Sequence, residues 1–341
     1  MEKKLYGIKG AVYAPSRTYN AYQVFEYFDE KEVDRDFSYA EDAGINAIRF
    51  FTSFEHYLKD KNSYYRKFEA LLYAASRHGV RVMPVLFEDC GRPNNAESRL
   101  DRNPKTAVCV QSPDRSITDD AKLWDEPLGY LLDFMAHYKD DERLLAIEVM
   151  NEPHEANRNN DFAYYMLVNA HAVRGTVPLT IGCITLWDNL YFSKYVDIFQ
   201  FHDNFPTNME DFKKSIRRAE VIQRYTRKPV YLSEWQRLRE KGPGWSTNVI
   251  APEELPPALA TLAPSVYESE LAGSFFWCMM VKPAYLMEQR PNGTYNGLFH
   301  EDGSVHSLKD YEAISGKQNR NECPTIPSWY LEEKNKYCFE D

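Results

Sequence analysis

The chain has 341 residues, a net charge of −10 and a hydrophobic content of 43%. This length and apolar content suit one α/β barrel, and the acidic charge argues against a nucleic-acid partner, which binds a basic face. No stretch is long and apolar enough to span a bilayer, so we expect no membrane partner. The N-terminus has lysines but no apolar segment, which predicts a cytoplasmic protein without a signal peptide, or a secreted one if a leader has been removed.

Strand-like and helix-like segments alternate along the chain, a pattern that predicts a parallel sheet with crossover helices. Strands are predicted at residues 7–13, 45–51, 80–87, 144–152, 179–183, 198–201, 228–235 and 273–280. The main helices are predicted at residues 31–43, 64–78, 120–138, 161–173, 209–225 and 253–271. This count is typical of a (β/α)8 TIM barrel with a single domain. We expect residues 1–315 to form the catalytic barrel and residues 316–341 to form a polar tail packed on it.

A long polar insertion, residues 90–119, follows the third predicted strand. Loops of this length are uncommon unless they are functional, and the carboxyl ends of parallel strands are where such barrels carry their chemistry. We therefore expect the insertion to form one wall of a cleft. Together with the loop that carries Trp245, it would close the cleft into a pocket. A pocket would favour action at the end of a chain-like substrate, that is, exo action.

Two of the predicted strands end in a glutamate. The fourth reads LLAIEVMNEP and stops at Glu152, because Pro153 cannot continue a sheet ladder. The seventh reads KPVYLSEW and carries Glu234 at its end. Paired carboxylates across a pocket are the groups that retaining glycoside hydrolysis uses. A solvated or salt-bridged loop carboxylate is the structural alternative for each, and we interpret both as catalytic.

Five stretches of the chain resemble the clan A glycoside hydrolases, especially the cellulase and β-mannanase family with an NEP motif. They are GINAIRFF (44–51), VMNEPHE (149–155), FQFHDN (199–204), VYLSEW (230–235) and GSFFWCMM (273–280). The resemblance runs from about Gly7 to about Gly303. NEP alone is a short motif, but NEP at the fourth strand end followed by SEW at the seventh is specific.

The resemblance implies a role for each matching residue. Glu152 is expected to be the general acid/base, Glu234 the nucleophile and Asn151 a ligand of the sugar 2-hydroxyl. Arg49 is expected to lie under Glu234 and keep it ionised. The remaining matches are His202, which would line the site, and Trp277, which would form a stacking floor. The implied reaction needs no metal ion and no organic cofactor.

The chain departs from the family pattern at two places. Asn204 stands where the family usually has a tyrosine that contacts the nucleophile, so either Asn204 or a tyrosine from another loop is expected to make that contact. Glu88 and Asp89 stand where a histidine is often found. Glu88 and Trp245 are further candidates for substrate binding, and Asp203, Trp187 and Tyr285 are loop candidates of the same kind.

Structural alternatives exist for these binding candidates as well. Asn151 could cap a turn, Arg49 could pair with any acid, and His202 and Trp277 could be ordinary core residues. The six cysteines show no metal-type spacing. Cys183 and Cys278 are predicted to be buried thiols. Two pairs, Cys90 with Cys109 and Cys323 with Cys338, could form disulfides in an oxidising compartment.

The sequence predicts a retaining glycoside hydrolase that acts on β-linked glycans or oligosaccharides. β-Mannosides, β-glucosides and β-galactosides are the favoured substrates, and the abundance of aromatic residues, 14% of the chain, suits a carbohydrate partner. The alternatives are a sugar-binding barrel that has lost catalysis and a transglycosylase that uses the same residues. The sugar, the linkage and the oligomeric state stay open.

Overall fold

A computed structural model describes residues 5–154, 159–240, 250–285, 287–292 and 294–337. Eight parallel strands form one sheet in the order β5-β4-β3-β2-β1-β8-β7-β6. The strands are β1 (Ile8–Val12), β2 (Ala47–Phe51), β3 (Arg81–Glu88), β4 (Ile147–Asn151), β5 (Leu179–Gly182), β6 (Phe199–Asp203), β7 (Val230–Trp235) and β8 (Gly273–Phe276). The predicted (β/α)8 barrel is therefore confirmed.

The first and last strands of this order, β5 and β6, meet through single backbone hydrogen bonds. Asp197 N–H donates to Leu179 O at 2.8 Å, and His202 N–H donates to Ile184 O at 3.2 Å. These bonds bring the two edges of the sheet together at both ends. The barrel is therefore nearly closed, and its strand ends converge on one mouth.

Helices surround the strands. They are α1 (Ala21–Glu26), α2 (Glu30–Asp42), α3 (Phe54–Lys59), α4 (Lys61–Arg77), α5 (Ala96–Leu100), α6 (Arg115–Thr118), α7 (Asp125–Tyr138), α8 (Asn159–Ala172), α9 (Asn189–Phe192), α10 (Met209–Thr226), α11 (Ala263–Tyr267), α12 (Leu308–Ser315) and α13 (Ser328–Tyr337). No helix among the described residues has both the length and the apolar character needed to cross a membrane.

Local signals explain where the helices begin and end. Asp29 accepts a hydrogen bond from Lys31 N–H at the start of α2, and Asn208 caps α10 in the same way. Gly44 follows α2 with a φ of +71°, a conformation that favours glycine. The apolar faces of these helices then cover the outside of a sheet whose strands are almost entirely buried.

Several sequence predictions need correction. The predicted helix at residues 253–271 is wrong, because only α11 and two short 3₁₀ turns, Pro252–Glu254 and Leu259–Thr261, form there. Prolines in this stretch lack the N–H that a helix needs. The eighth strand ends at Phe276, so Trp277 follows it, and the sixth strand extends to Asp203.

The C-terminal segment contacts earlier parts of the chain and ends in a helix, α13, that the sequence did not predict. Val305 pairs with Glu322 in an isolated bridge. Trp329 at the start of α13 is 5% exposed and lies against the Arg17 guanidinium, 5.7 Å from the ring centre. This segment thus lies close to the loop that follows β1.

Candidate active site

A cavity of 620 Å³ lies at the carboxyl end of the barrel. The insertion at residues 90–119 contributes Cys90, Val108, Cys109 and Val110 to its lining. The Sγ atom of Cys109 lies 3.2 Å from the hydroxyl of Tyr285, which follows β8. The insertion therefore forms a wall of the site, as its length and position predicted.

Arg49 organises the carboxylates beneath the cavity. It is fully buried and donates from Nε and Nη2 to Glu148, at 2.7 and 2.5 Å. Nη1 donates to Glu234 Oε1 at 2.6 Å, and Nη2 also donates to Asn151 Oδ1 at 2.5 Å. Gly182 makes room for this cluster, because a Cβ there would lie 2.1 Å from Glu148 Oε1. One cation thus fixes the positions of two carboxylates and an amide.

Glu234 is held at both of its oxygens. Oε1 accepts from Arg49, and Oε2 accepts from Asn204 Nδ2 at 2.9 Å. Asn204 is itself oriented by Gln236, whose Nε2 donates to Asn204 Oδ1 at 3.1 Å. Asn204 therefore supplies the hydrogen bond that the resemblance assigned to a tyrosine. Glu234 as a whole is 6% exposed and lines the cavity.

Glu152 occupies a strained turn directly after β4. Its φ is +47°, a conformation that costs a residue other than glycine about 1 kcal/mol. Its N–H donates to Gly182 O at 2.7 Å, and Pro153 ends the strand. Such strain concentrates at functional positions, and here it turns the Glu152 side chain into the cavity.

The Glu152 carboxylate has two partners. His202 Nδ1 lies 2.5 Å from Oε1, and the Cys90 thiol donates to Oε2 at 3.0 Å. Burial by itself would raise the pKa of Glu152, but the hydrogen bond and charge of His202 outweigh it and lower this pKa. Burial would lower the pKa of His202, but the charges of Glu234 and Glu152 raise it. Both shifts favour an ionised Glu152 beside a protonated His202.

The two candidate catalytic glutamates face each other. One carboxylate oxygen of Glu152, one of Glu234 and a ring nitrogen of His202 all lie within 4.8 Å of one another. Retaining glycosidases have carboxyl groups about 5–5.5 Å apart. The same three atoms are also close enough to ligate one metal ion, but they include both of the predicted catalytic carboxylates.

Glu88 supports the amide of Asn151. It is 7% exposed, and its Oε1 accepts from Asn151 Nδ2 at 2.9 Å and from Cys90 N–H at 2.7 Å. Burial raises the pKa of Glu88 to about 8, so its side chain is mostly neutral at pH 7. A neutral Glu88 orients Asn151 without adding a third full negative charge beside Glu152 and Glu234.

The structure brings most of the predicted site residues together. Those that line the cavity are Glu88, Asn151, Glu152, His202, Asn204, Glu234 and Trp277, with the loop candidates Asp203 and Tyr285. Arg49 lies behind the cavity wall, in contact with Glu234. Trp187 is 58% exposed and does not line the cavity. Trp245 lies outside the described residues, so its role stays a prediction.

Two residues of this network were missed at the level of sequence. Glu148 carried a usable signal, because it is the one carboxylate inside the apolar run LLAIEVM. Cys90 carried no signal toward Glu152. The cysteines that the structure describes, Cys90, Cys109, Cys183, Cys278 and Cys323, are all free thiols, and Cys183 and Cys278 are buried as expected. Cys338 lies outside the described residues.

We expect Cys90→Ala to move the alkaline limb of the kcat/KM profile upward by roughly half to one pH unit. Burial raises the pKa of Cys90 well above its usual range, so it is a neutral donor to the ionised form of Glu152. Loss of that bond favours the protonated form of Glu152. Cys90→Ser keeps a donor and should restore the wild-type profile. Coincident profiles for all three proteins would show that the contact has no electrostatic effect.

A (β/α)8 barrel with facing glutamates at the ends of its fourth and seventh strands defines a class, the clan A glycoside hydrolases. The family model described as cellulase, glycosyl hydrolase family 5, matches residues 12–186, just over half of the chain. The chain therefore belongs to this family and is a glycoside hydrolase of the retaining kind. The matched residues include Asn151 and Glu152 and end before Glu234.

The solved structures with a similar fold include the following three. The exo-β-1,4-mannosidase Op5Man5 from Opitutaceae bacterium strain TAV5 is 16% identical with a TM-score of 0.64, and the match covers 97% of this chain and 60% of that one. The endo-1,4-β-D-mannanase from Thermotoga petrophila RKU-1 is 16% identical, TM-score 0.58, covering 89% and 99%. GH5_18 from Streptomyces cattleya, in complex with GlcNAc, is 15% identical, TM-score 0.59, covering 91% and 79%. No curated protein matches the chain in sequence.

Proposed function

We propose that the chain is an exo-acting retaining β-glycosidase that removes a terminal sugar from a short oligosaccharide, with a β-mannoside as the first candidate. The observation that carries this proposal is the enclosure of both glutamates in one cavity of 620 Å³. A volume in the range of about 300–1,000 Å³ suits a small molecule better than a long polymer.

Contacts between loops support this enclosure. Arg290, beyond β8, donates from Nη1 to the carbonyl oxygens of Pro104 and Ala107 in the insertion at residues 90–119. Arg92 of the same insertion donates to Met287 Sδ at 3.3 Å. The insertion and the segment after β8 are thus joined on one side of the cavity. A polymer that runs through the cavity on this side would have to separate these contacts. The end of a substrate chain could bind in the cavity without separating them.

Each proposed catalytic step has a residue at hand. Glu234, held by Arg49 and Asn204, attacks the anomeric carbon and forms a glycosyl ester. A proton from His202 passes through Glu152 to the departing glycosidic oxygen. In the second step, Glu152 takes a proton from a water molecule that attacks the ester, and Glu234 leaves with the configuration at the anomeric carbon retained.

The choice of sugar rests on weaker support. Two of the similar structures are named as a mannosidase and a mannanase, at 16% identity. We therefore propose to test β-mannosides first, ahead of β-glucosides and β-galactosides.

The test is turnover of aryl β-mannoside, β-glucoside, β-galactoside and β-xyloside, followed by β-1,4-linked oligosaccharides of increasing length. We expect one aryl sugar to dominate and the oligosaccharides to release only monosaccharide. Mid-length products from a polymer would refute exo action while leaving the reaction intact. Absence of turnover on both aryl glycosides and oligosaccharides would favour the sugar-binding alternative.

A further inference from the structure

Two cations line the same cavity as the catalytic glutamates. Lys282 and Arg290 both belong to the segment that follows β8, and both contribute to the cavity lining together with Tyr19 and Asn20 from the loop after β1. The proposed chemistry of Glu152 and Glu234 uses neither cation. Their surroundings therefore call for a separate explanation.

Both cations are bonded to backbone carbonyl groups. Lys282 Nζ donates to Thr18 O at 3.0 Å and to Pro15 O at 3.3 Å, which uses two of its three protons. Arg290 is 5% exposed, and its guanidinium donates only to carbonyl oxygens. The carbonyl partners of Arg290 are those of Ala284, Pro104, Ala107 and Tyr285.

Neither cation is in contact with a carboxylate of the described residues, although the charges of Glu32 and Asp36 act on Lys282, and that of Asp101 acts on Arg290, from farther away. Among the described residues, no carboxylate lies within ion-pair distance of Lys282 or Arg290. Carbonyl groups satisfy N–H donors but do not neutralise a charge, and buried charges are normally paired. Arg49, in the same barrel, shows the usual arrangement, because it contacts both Glu148 and Glu234.

Tyr19 provides a third group without a partner. Its hydroxyl is buried and makes no hydrogen bond to any described residue. The Arg290 guanidinium lies 5.9 Å from the centre of the Tyr19 ring, so the two groups belong to the same end of the cavity. A buried hydroxyl that lacks a partner is destabilising, and a ligand would supply one.

We propose that Tyr19, Lys282 and Arg290 form a subsite for an anionic group on the substrate, either a sugar carboxylate or a phosphate or sulfate ester. The inference rests on the proposed glycosidase function and narrows its substrate class to acidic β-glycosides. Lys282 keeps one proton for such an oxyanion, and charge-assisted hydrogen bonds of this kind are strong.

The charge distribution of the cavity also orients the substrate. Glu152 and Glu234 contribute carboxylates to the other part of the lining, and these would repel an anion. An acidic group would therefore lie only at the end that Lys282 and Arg290 form, and the scissile bond would lie toward the glutamates. Electrostatic complementarity of this kind favours one binding orientation over its reverse.

The competing explanation is that Lys282 only connects loops. Lys228 offers a matched control, because its Nζ also donates to two carbonyl oxygens, those of Ser193 at 2.8 Å and Val196 at 2.5 Å. Burial lowers the pKa of both lysines. Lys228 does not line the cavity. Lys228→Gln thus removes a similar loop connection without touching the proposed subsite.

The experiment measures binding by calorimetry to full-length protein carrying Glu152→Gln. The probes are glucuronate, mannuronate, mannose 6-phosphate and mannose 6-sulfate, each against the neutral parent sugar. We expect at least one acidic probe to bind about tenfold tighter than its neutral parent. Lys282→Gln should remove that preference, and Lys228→Gln should keep it. The probe that shows the preference identifies a carboxylate or an ester as the anion.

A second measurement and four decisive outcomes complete the experiment. If Lys282→Gln fails to fold, the salt dependence of binding replaces it, because only acidic probes should weaken as ionic strength rises. Equal affinity for acidic and neutral probes, or equal effects of the two lysine variants, would overturn the subsite. If neutral aryl glycosides are turned over and acidic ones are turned over no faster, the proposed subsite is refuted and the proposed glycosidase function is not. If acidic sugars bind in a way that depends on Lys282 but no glycoside is turned over, the proposed function is refuted and the subsite is not.

Discussion

Replacement of Glu234 by alanine is expected to lower kcat by about four orders of magnitude or more, because no other carboxylate can attack the anomeric carbon from that side. Arg49 and Asn204 hold Glu234 directly. The variant leaves an empty volume of about the size of a small anion above Arg49. Added azide should therefore occupy it, restore turnover of an activated aryl glycoside and give a glycosyl azide of inverted configuration, which NMR identifies.

Two controls make this result specific. Glu152→Ala, with the acid/base removed, should form the glycosyl ester from an activated aryl glycoside and then react with azide to give the retained product. Glu88→Ala removes a carboxyl group from the same cavity that is not placed to attack, so azide should not rescue it. An inverted azide from Glu152→Ala, or rescue of Glu88→Ala, would contradict the assignment of Glu234 as nucleophile.

The strand ends of the barrel could be predicted because their signals are local. Pro153 stops β4 one residue after Glu152, and the apolar run of β7 leads directly to Glu234. In a parallel barrel all carboxyl ends lie on one face, so two such glutamates are brought together by the topology alone. The position of Arg49 near the end of β2 follows from the same rule.

Predictions failed where local signals conflicted or where the contact is made between distant loops. The stretch 253–271 has an apolar period that suits a helix, but Pro256, Pro257 and Pro264 interrupt its hydrogen bonding. The bond from Cys90 to Glu152 depends on the path of a long insertion, which no periodicity encodes. The position of Lys282 at the cavity likewise depends on the path of the segment after β8.

Asn204 stands where the family usually has a tyrosine, and it makes the hydrogen bond to Glu234 that the resemblance assigns to that tyrosine. The amide Nδ2 reaches Glu234 Oε2 directly, and Gln236 fixes the amide by donating to its oxygen. A tyrosine has one donor, which serves the carboxylate, whereas an amide also needs a partner for its oxygen. Gln236, two residues after Glu234, is therefore the compensating residue of this chain.

Arg49→Leu is expected to destabilise the fold by about 3–5 kcal/mol, because two buried carboxylates lose the cation that lies between them. Arg49 and Glu148 are both fully buried, and Glu234 is nearly so. The loss should be measured as the change in free energy of unfolding in urea. Arg143 is the control, since it also bonds to two carboxylates, Asp141 and Glu69, but at the surface. Arg143→Leu should cost about 1 kcal/mol or less.

The pH dependence separates electrostatics from packing in the Arg49→Leu protein. Above about pH 5 the two unpaired carboxylates are charged in the unfolded chain, whereas their charges are unfavourable in the buried site of the folded protein. The loss of unfolding free energy relative to the wild type should therefore be largest there. As the pH falls, their protonation removes the penalty and the deficit should shrink. A double variant with Glu148→Leu should recover much of the stability without recovering turnover, because Glu234 still lacks its cation. A deficit that is constant with pH would mean that Arg49 stabilises the barrel through packing alone.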